Sequence, residues 1–195
     1  KHGNIDPWCP KNSGDKYGRM RTLKNALANS VNTVSARIMD MVGPKPVIDL
    51  VRKTGVTSRL PNVPSIALGT PDISLFEMVG AYGTFVNKGI YIEPIIITRI
   101  EDKNGMPLFE VVPNTTDVIS QEAAYVTINL LKGVTKYGSG GRLRHAGLEK
   151  TNYVYENVVT GYPYIFDNPI AGKTGTTQNQ SDGWFIGMVP NLVSG

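Results

Sequence analysis

Glycine and proline, 21 and 13 of the 195 residues, cut the chain into short segments of different periodicity. This punctuation restricts the fold more than any other feature, because both residues end regular structure. Residues 1–21 are crowded with Gly, Pro, Asn and Asp, show no helical or strand period, and are expected to form an extended loop. From Thr22 a helical pattern opens, with apolar or small residues at Leu23, Ala26, Leu27, Ser30, Val31, Val34, Ile38 and Met41, until Gly43-Pro44 stops it. A shorter helix over residues 46–54 ends at Gly55, and Pro61, Pro64 and Pro71 keep the following loop irregular. Ser74 and Glu77 fit a capping box, in which each side chain satisfies a backbone N–H of the helix start; the helix should run to Asn87 with Gly89 just beyond. Residues 22–89 thus form a helical part.

The texture then turns to β. "IYIEPIIITRIED", a turn at Asn104-Gly105 and "PLFEVV" predict a hairpin over residues 90–112, and Ser120 opens a helix over 120–135. Residues 136–168, rich in Gly and Asn, carry the poorest local signal. Two strands, "PIAGKTGTT" and "GWFIGMVP", close the chain within 170–190. Helices, a hairpin, a helix and strands, with no regular βαβ alternation, predict an α+β domain with a mostly antiparallel sheet flanked by helices. The length and the 41% apolar content allow one core, hence one domain or most of one.

The net charge of +4 comes from scattered lysines and arginines, with no basic run or basic helix face, so no nucleic-acid partner is indicated. Cys9 is the only cysteine, which excludes an internal disulfide and a paired-cysteine zinc site. His2, beside the terminus, and His145, in the polar "GGRLRHAG", both read as solvated, so no metal centre, cofactor or Ser-His-Asp triad is expected. No apolar run approaches the length of a membrane span. The chain opens on Lys rather than Met and is expected to be a piece of something longer.

Two constellations carry chemistry. In "AGKTGTTQNQSDGWFIG" a strand would place Lys173 and Gly175 on one face and Thr174 and Thr176 on the other, while Gly172 and Gly175 leave room for another backbone or a ligand. At a sheet edge such a strand can bind an extended peptide by strand addition, with Lys173 supplying a positive field and threonine hydroxyls meeting a carboxylate. Recognition of a peptide C-terminus is the chemistry expected. A phosphate-binding loop is not, since "FDNPIAGKTG" lacks the first glycine of that motif and a second strand follows it. The second constellation is "ANSVNTV": on a continuous helix Ser30 and Asn32 face different ways, whereas at a break between two helices they converge on one site.

Ser-Val-Asn followed by Lys-Thr-Gly resembles two of the three signature motifs of serine β-lactamases and penicillin-binding proteins. "TLKNALANSVNTVSARI", "IALGTPDISLFEMVGAYGTFVNKG" and "IAGKTGTTQNQSDGWFIGMVP" are each similar to class A penicillin-binding proteins, the bifunctional peptidoglycan synthases, over residues 5–191. β-Lactamases are the weaker likeness, usually lacking the second Thr and the "SDGWFIG" continuation. The resemblance implies a β-lactamase/transpeptidase-like fold and a D,D-transpeptidase that cross-links peptidoglycan stem peptides through a serine acyl-enzyme, with β-lactam antibiotics as mimics of the D-alanyl-D-alanine end.

By the same resemblance, Ser30 belongs to the proton relay toward the leaving group, Asn32 holds the substrate's amide and Lys173 stabilises the charge network around Ser30. Thr174 and Thr176 would bind the substrate carboxylate within a substrate-binding run that includes Gly175 and Thr177. The N–H of Thr176 would form half of an oxyanion hole. The implied setting is the outer face of the bacterial cytoplasmic membrane, with a membrane anchor and a glycosyltransferase domain upstream.

The nucleophile is the exception. The only Ser-x-x-Lys is Ser13 to Lys16, "SGDK", which has loop composition and comes too soon before "SVN". A nucleophile of this kind needs a helix start, so that the lysine one turn on reaches the serine hydroxyl. The nucleophile segment and the first strands are therefore expected before Lys1, and a last strand and helix after Gly195. Such an incomplete domain would be inactive alone and would expose an apolar groove beside "ANSVNTV" that favours self-association. The alternatives are a nucleophile-free peptidoglycan-binding module and a serine β-lactamase.

Overall fold

A computed structural model describes residues 8–144, 166–177 and 183–195. Helices α1 (Leu23–Ala28), α2 (Asn32–Val42), α3 (Pro44–Lys53) and α4 (Leu75–Val86) come first. Short strands β1 (Ile90–Ile92), β2 (Arg99–Glu101), β3 (Pro107–Glu110) and β4 (Thr115–Asp117) follow, then the long helix α5 (Gln121–Tyr137) and strands β5 (Ala171–Thr176), β6 (Gly183–Val189) and β7 (Leu192–Ser194). Among the described residues every strand pairing is antiparallel. Helices with antiparallel sheets make the domain α+β.

The single helical run expected from Thr22 to Met41 is two helices. Thr22 caps α1, its Oγ1 accepting from the Asn25 N–H at 3.2 Å. At the other end the Ser30 N–H donates to Leu27 O and the Val31 N–H to Ala26 O, at 3.1 and 3.0 Å. These are the paired bonds of a Schellman stop. α4 starts at the expected capping box: Ser74 Oγ accepts from the Glu77 N–H, and Glu77 Oε2 accepts from the Ser74 N–H. The same carboxylate also takes the N–H and hydroxyl of Thr57 and of Ser58, fastening the loop after α3 to α4. These donors, the Ser58 hydroxyl foremost, hold the Glu77 carboxyl far below the usual carboxylate range.

The single hairpin expected over 90–112 is instead two nested ladders. β2 pairs with β3 around a turn where Asp102 Oδ1 accepts from the Asn104 and Met106 N–H groups, both at 2.8 Å. Outside it β1 pairs with β4, Ile90 opposite Asp117 and Ile92 opposite Thr115. Pro94 has no N–H to give a ladder, so the apolar run "IYIEPIII" divides there.

The core lies between α5 and the β5–β6–β7 sheet. Leu131 on α5 packs with Ala171 on β5 and Met188 on β6, bordered by Leu27, Tyr82, Phe85, Val86, Ile128 and Val193. Tyr82 and Phe85 of α4 meet edge to face, ring centres 5.9 Å apart. On its other side α5 packs against α1 through small residues: a Cβ at Gly133 would stand 3.2 Å from that of Ala28. The close approach brings the end of α1 beside the sheet that carries the Lys-Thr-Gly run.

Candidate active site

Ser30 lies in the break between α1 and α2 with φ at 52°. That left-handed conformation costs a non-glycine residue about 1–2 kcal/mol, and such strain persists where the surroundings impose it. α2 has no cap from its own N-cap residue, Val31. Asn12, far back in the chain, serves instead: its Oδ1 accepts from the Thr33 N–H at 3.0 Å and the Thr33 hydroxyl at 3.1 Å, while its Nδ2 donates to Lys16 O. Asn32 Nδ2 donates to Lys11 O at 2.7 Å. The segment around residues 11–16 is therefore buttoned onto the start of α2.

Lys173 comes from the middle of β5, which lies at the end of the β5–β6–β7 order; among the described residues its other edge is unpaired. The Nζ of Lys173 donates to Ser30 Oγ at 2.9 Å and to Thr174 O at 2.8 Å, so residues 143 positions apart meet through side chains. Among the described residues no carboxylate lies within ion-pair distance of this ammonium. Burial lowers its pKa from the ordinary lysine value of 10.5. The group is a desolvated cation held by two neutral acceptors, which suits it to an anion or to a proton in transit.

Strand alternation separates the remaining residues. Lys173 turns to Ser30, whereas Thr174 Oγ1 turns to Ser139 Oγ, 2.5 Å away. Gly175, Thr176 and Thr177 are exposed. The two glycines differ. A Cβ at Gly172 would stand 2.6 Å from both Ile186 O and the Phe185 ring, so the space there is filled by the chain itself and not by a ligand. At Gly175 the nearest atom would be Trp184 Cβ at 3.7 Å, an ordinary contact that leaves the position open. Neither of two shallow surface cavities, one by Gly83 and Leu192, the other by Lys88 and Gln121, includes any of these residues.

Ser13 and Lys16 do not form a helical pair. Ser13–Asp15 is a single 3-10 turn in which Gly14 and Asp15 have φ of 70° and 50°, and Lys16 is extended. The lysine is not one α-helical turn beyond the serine. Of the other residues singled out in the sequence, His2, His145, Ser181 and Asp182 lie outside the described residues.

A family model for the penicillin binding protein transpeptidase domain matches residues 1–193. The chain belongs to that family. A curated relative, penicillin-binding protein 1A of Aquifex aeolicus (strain VF5), is 33% identical over 191 residues, covering 97% of this chain. The chain spans only 23% of that relative's length. Penicillin-Binding Protein 1A from Haemophilus influenzae superposes with a TM-score of 0.79 at 24% identity over 99% of this chain and 32% of that one. PonA1 of Mycobacterium tuberculosis, solved in complex with penicillin V, gives 0.72 at 23% identity, covering 94% and 48%. The transpeptidase domain therefore has the β-lactamase-like fold expected of it.

Two residues that sequence reasoning passes over hold this part of the domain together. Asn12 sits in a segment read only as loop, and Ser139 in the stretch with the poorest signal. A hydroxyl between glycines in "YGSGGRL", directly after a helix, was the one local mark of Ser139.

Proposed function

We propose that the protein carrying this chain is a peptidoglycan D,D-transpeptidase of the bacterial cell envelope, acting through a serine acyl-enzyme. The observation that carries this reading is the 2.9 Å contact of Ser30 Oγ with Lys173 Nζ on β5, a strand whose other edge is unpaired among the described residues. In the proposed reaction a serine attacks the carbonyl of the D-alanyl-D-alanine amide. The C–N bond breaks, and the proton removed from the serine passes through Ser30 to the departing D-alanine. An amine of a neighbouring strand then takes the acyl group and returns a proton to the serine.

The chain's own residues supply the electrostatics. Lys173 stabilises the anionic character of Ser30 during proton transfer, Thr174 and Thr176 bind the terminal carboxylate, and the Thr176 N–H faces the developing oxyanion. Gly175 and Thr177 line the same run, and the substrate lies along β5 as an added strand. Asn32 holds the substrate's amide through Oδ1 and the second N–H of Nδ2, the first being given to Lys11 O. No cofactor or metal enters this scheme.

The nucleophile in this reading comes from a helical Ser-x-x-Lys outside these 195 residues, because Ser13 and Lys16 lack the helical spacing. The whole protein is then membrane-anchored at the outer face of the cytoplasmic membrane, with a glycosyltransferase domain, and β-lactams acylate it. The isolated chain is inactive and self-associates through exposed apolar residues at the outer ends of α1 and α2, among them Met20, Leu23 and Met41. A fluorescent penicillin should label the full-length protein covalently and leave the isolated chain unlabelled. Labelling of the isolated chain at Ser13 or Ser30 would overturn the assignment. An unlabelled full-length protein that still binds peptidoglycan would be a binding module, and rapid nitrocefin turnover would make it a β-lactamase.

A further inference from the structure

One residue touches both arms of the Ser30–Lys173 contact. The Ser139 N–H donates to Ala28 O, in the last residue of α1, at 2.9 Å. The Ser139 hydroxyl lies 2.5 Å from Thr174 Oγ1, on the residue that follows Lys173. The turn is pressed so closely onto α1 that a Cβ at Gly138 would stand 2.1 Å from Ala28 O. Its next residue is also fixed, the Gly140 N–H donating to Val134 O at 2.9 Å. Ser139 is thus anchored through its backbone while its side chain reaches the strand.

Hydroxyl arithmetic then decides what the contact does. Thr174 has one hydroxyl proton and two lone pairs, and so has Ser139. If Thr174 donates to Ser139, its only proton is used and it meets a carboxylate as an acceptor, which is repulsive. If Ser139 donates to Thr174, the Thr174 proton stays free to point along the open face of β5. The hydrogen-bonded chain then polarises toward an incoming anion.

We infer that Ser139 is a positioning residue of the transpeptidase domain, donating its hydroxyl proton to Thr174 so that Thr174 presents its own proton to the carboxylate of the donor substrate. The inference rests on the transpeptidase reading and deepens it, by assigning carboxylate specificity in part to a residue outside the Lys-Thr-Gly run. Ser139 is exposed, so its hydroxyl adds little to folding and its effect should fall on the anion.

The test uses the full-length protein with two matched variants, Ser139→Thr and Ser139→Val, which have the same shape and differ in the hydroxyl. Each is assayed with a thioester donor bearing a free terminal carboxylate and with the same donor capped as a methyl ester. Ser139→Thr should acylate with the acid donor within about twofold of wild type. Ser139→Val should lose about tenfold with the acid donor, equivalent to about 1.4 kcal/mol, and nothing with the ester. Equal rates for both variants on the acid donor, or an equal loss on both donors, would overturn the inference. A wild-type protein that fluorescent penicillin does not label would remove the transpeptidase reading and this inference with it.

Discussion

The two arms of the Ser30–Lys173 contact are built by opposite means. Lys173 sits within a regular strand of six residues, β5, whose buried end, Ala171, belongs to the core. Ser30 sits between two helices at a positive φ, and what holds it comes from elsewhere: carbonyls of α1, the Asn12 cap on α2 and the turn at Ser139. The charged group, which loses most on leaving water, is carried by the stiffer element. The hydroxyl, cheap to bury once hydrogen-bonded, is carried by the strained one. One arm is therefore tuned by burial and the other by backbone geometry, and substitutions should separate the two.

The largest effect is expected where the charge is removed. Lys173→Met in the full-length protein should slow penicillin acylation by about 100-fold or more, the scale of a lost proton-transfer or electrostatic group. A loss below tenfold, measured by labelling rate, would mean that the strand arm holds shape and not charge. Next is the joint between the arms. Gly138→Ala places a Cβ against Ala28 O at 2.1 Å and should destabilise the domain by about 2–3 kcal/mol. Its thermal unfolding midpoint checks this, and an unchanged midpoint would show that the two arms are not clamped there.

A smaller effect isolates the strain. Ser30→Gly and Ser30→Ala both lack the hydroxyl and should acylate equally poorly, yet the glycine variant should be more stable than the alanine variant by about 1 kcal/mol. Equal unfolding midpoints would remove the claim of strain at φ 52°. The smallest effect concerns pH. Because burial lowers the Lys173 pKa, the unfolded chain binds more protons than the folded one between the folded value and 10.5. Folding should gain stability across that window as pH rises, so the midpoint of wild type relative to Lys173→Met should increase toward pH 10.5. A relative midpoint that falls would reverse the sign assigned to burial.

Local patterns were legible in the sequence, and distant partners were not. The capping box at Ser74 and Glu77 and the turn at Asn104-Gly105 depend on residues a few positions apart, so composition and spacing reveal them. The break at Ser30 was half legible: Ser and Asn in an apolar helical pattern marked an option, but a helical period runs through it without interruption. The β1–β4 ladder left no mark, because Glu93 and Asn114, which bond just beyond it, are 21 positions apart with Pro94 between. Ser30 and Lys173, which the structure brings into contact, are singled out in the sequence through motif order and resemblance, since nothing local says that residues 143 apart will touch. Ser139 and Asn12 carry no motif; their work is done through a backbone carbonyl of α1 and the N-terminus of α2, which only a fold brings within reach.

On the transpeptidase reading proposed above, the edge of β5 that is unpaired among the described residues has a consequence for inhibition. Main-chain donors and acceptors aligned along an open rim read the shape of a backbone and not the reactivity of a strained ring. A short extended oligomer ending in a carboxylate, rigid enough to arrive as a strand, would occupy that rim reversibly. Enzymes that destroy β-lactams by opening the ring would find no ring to open.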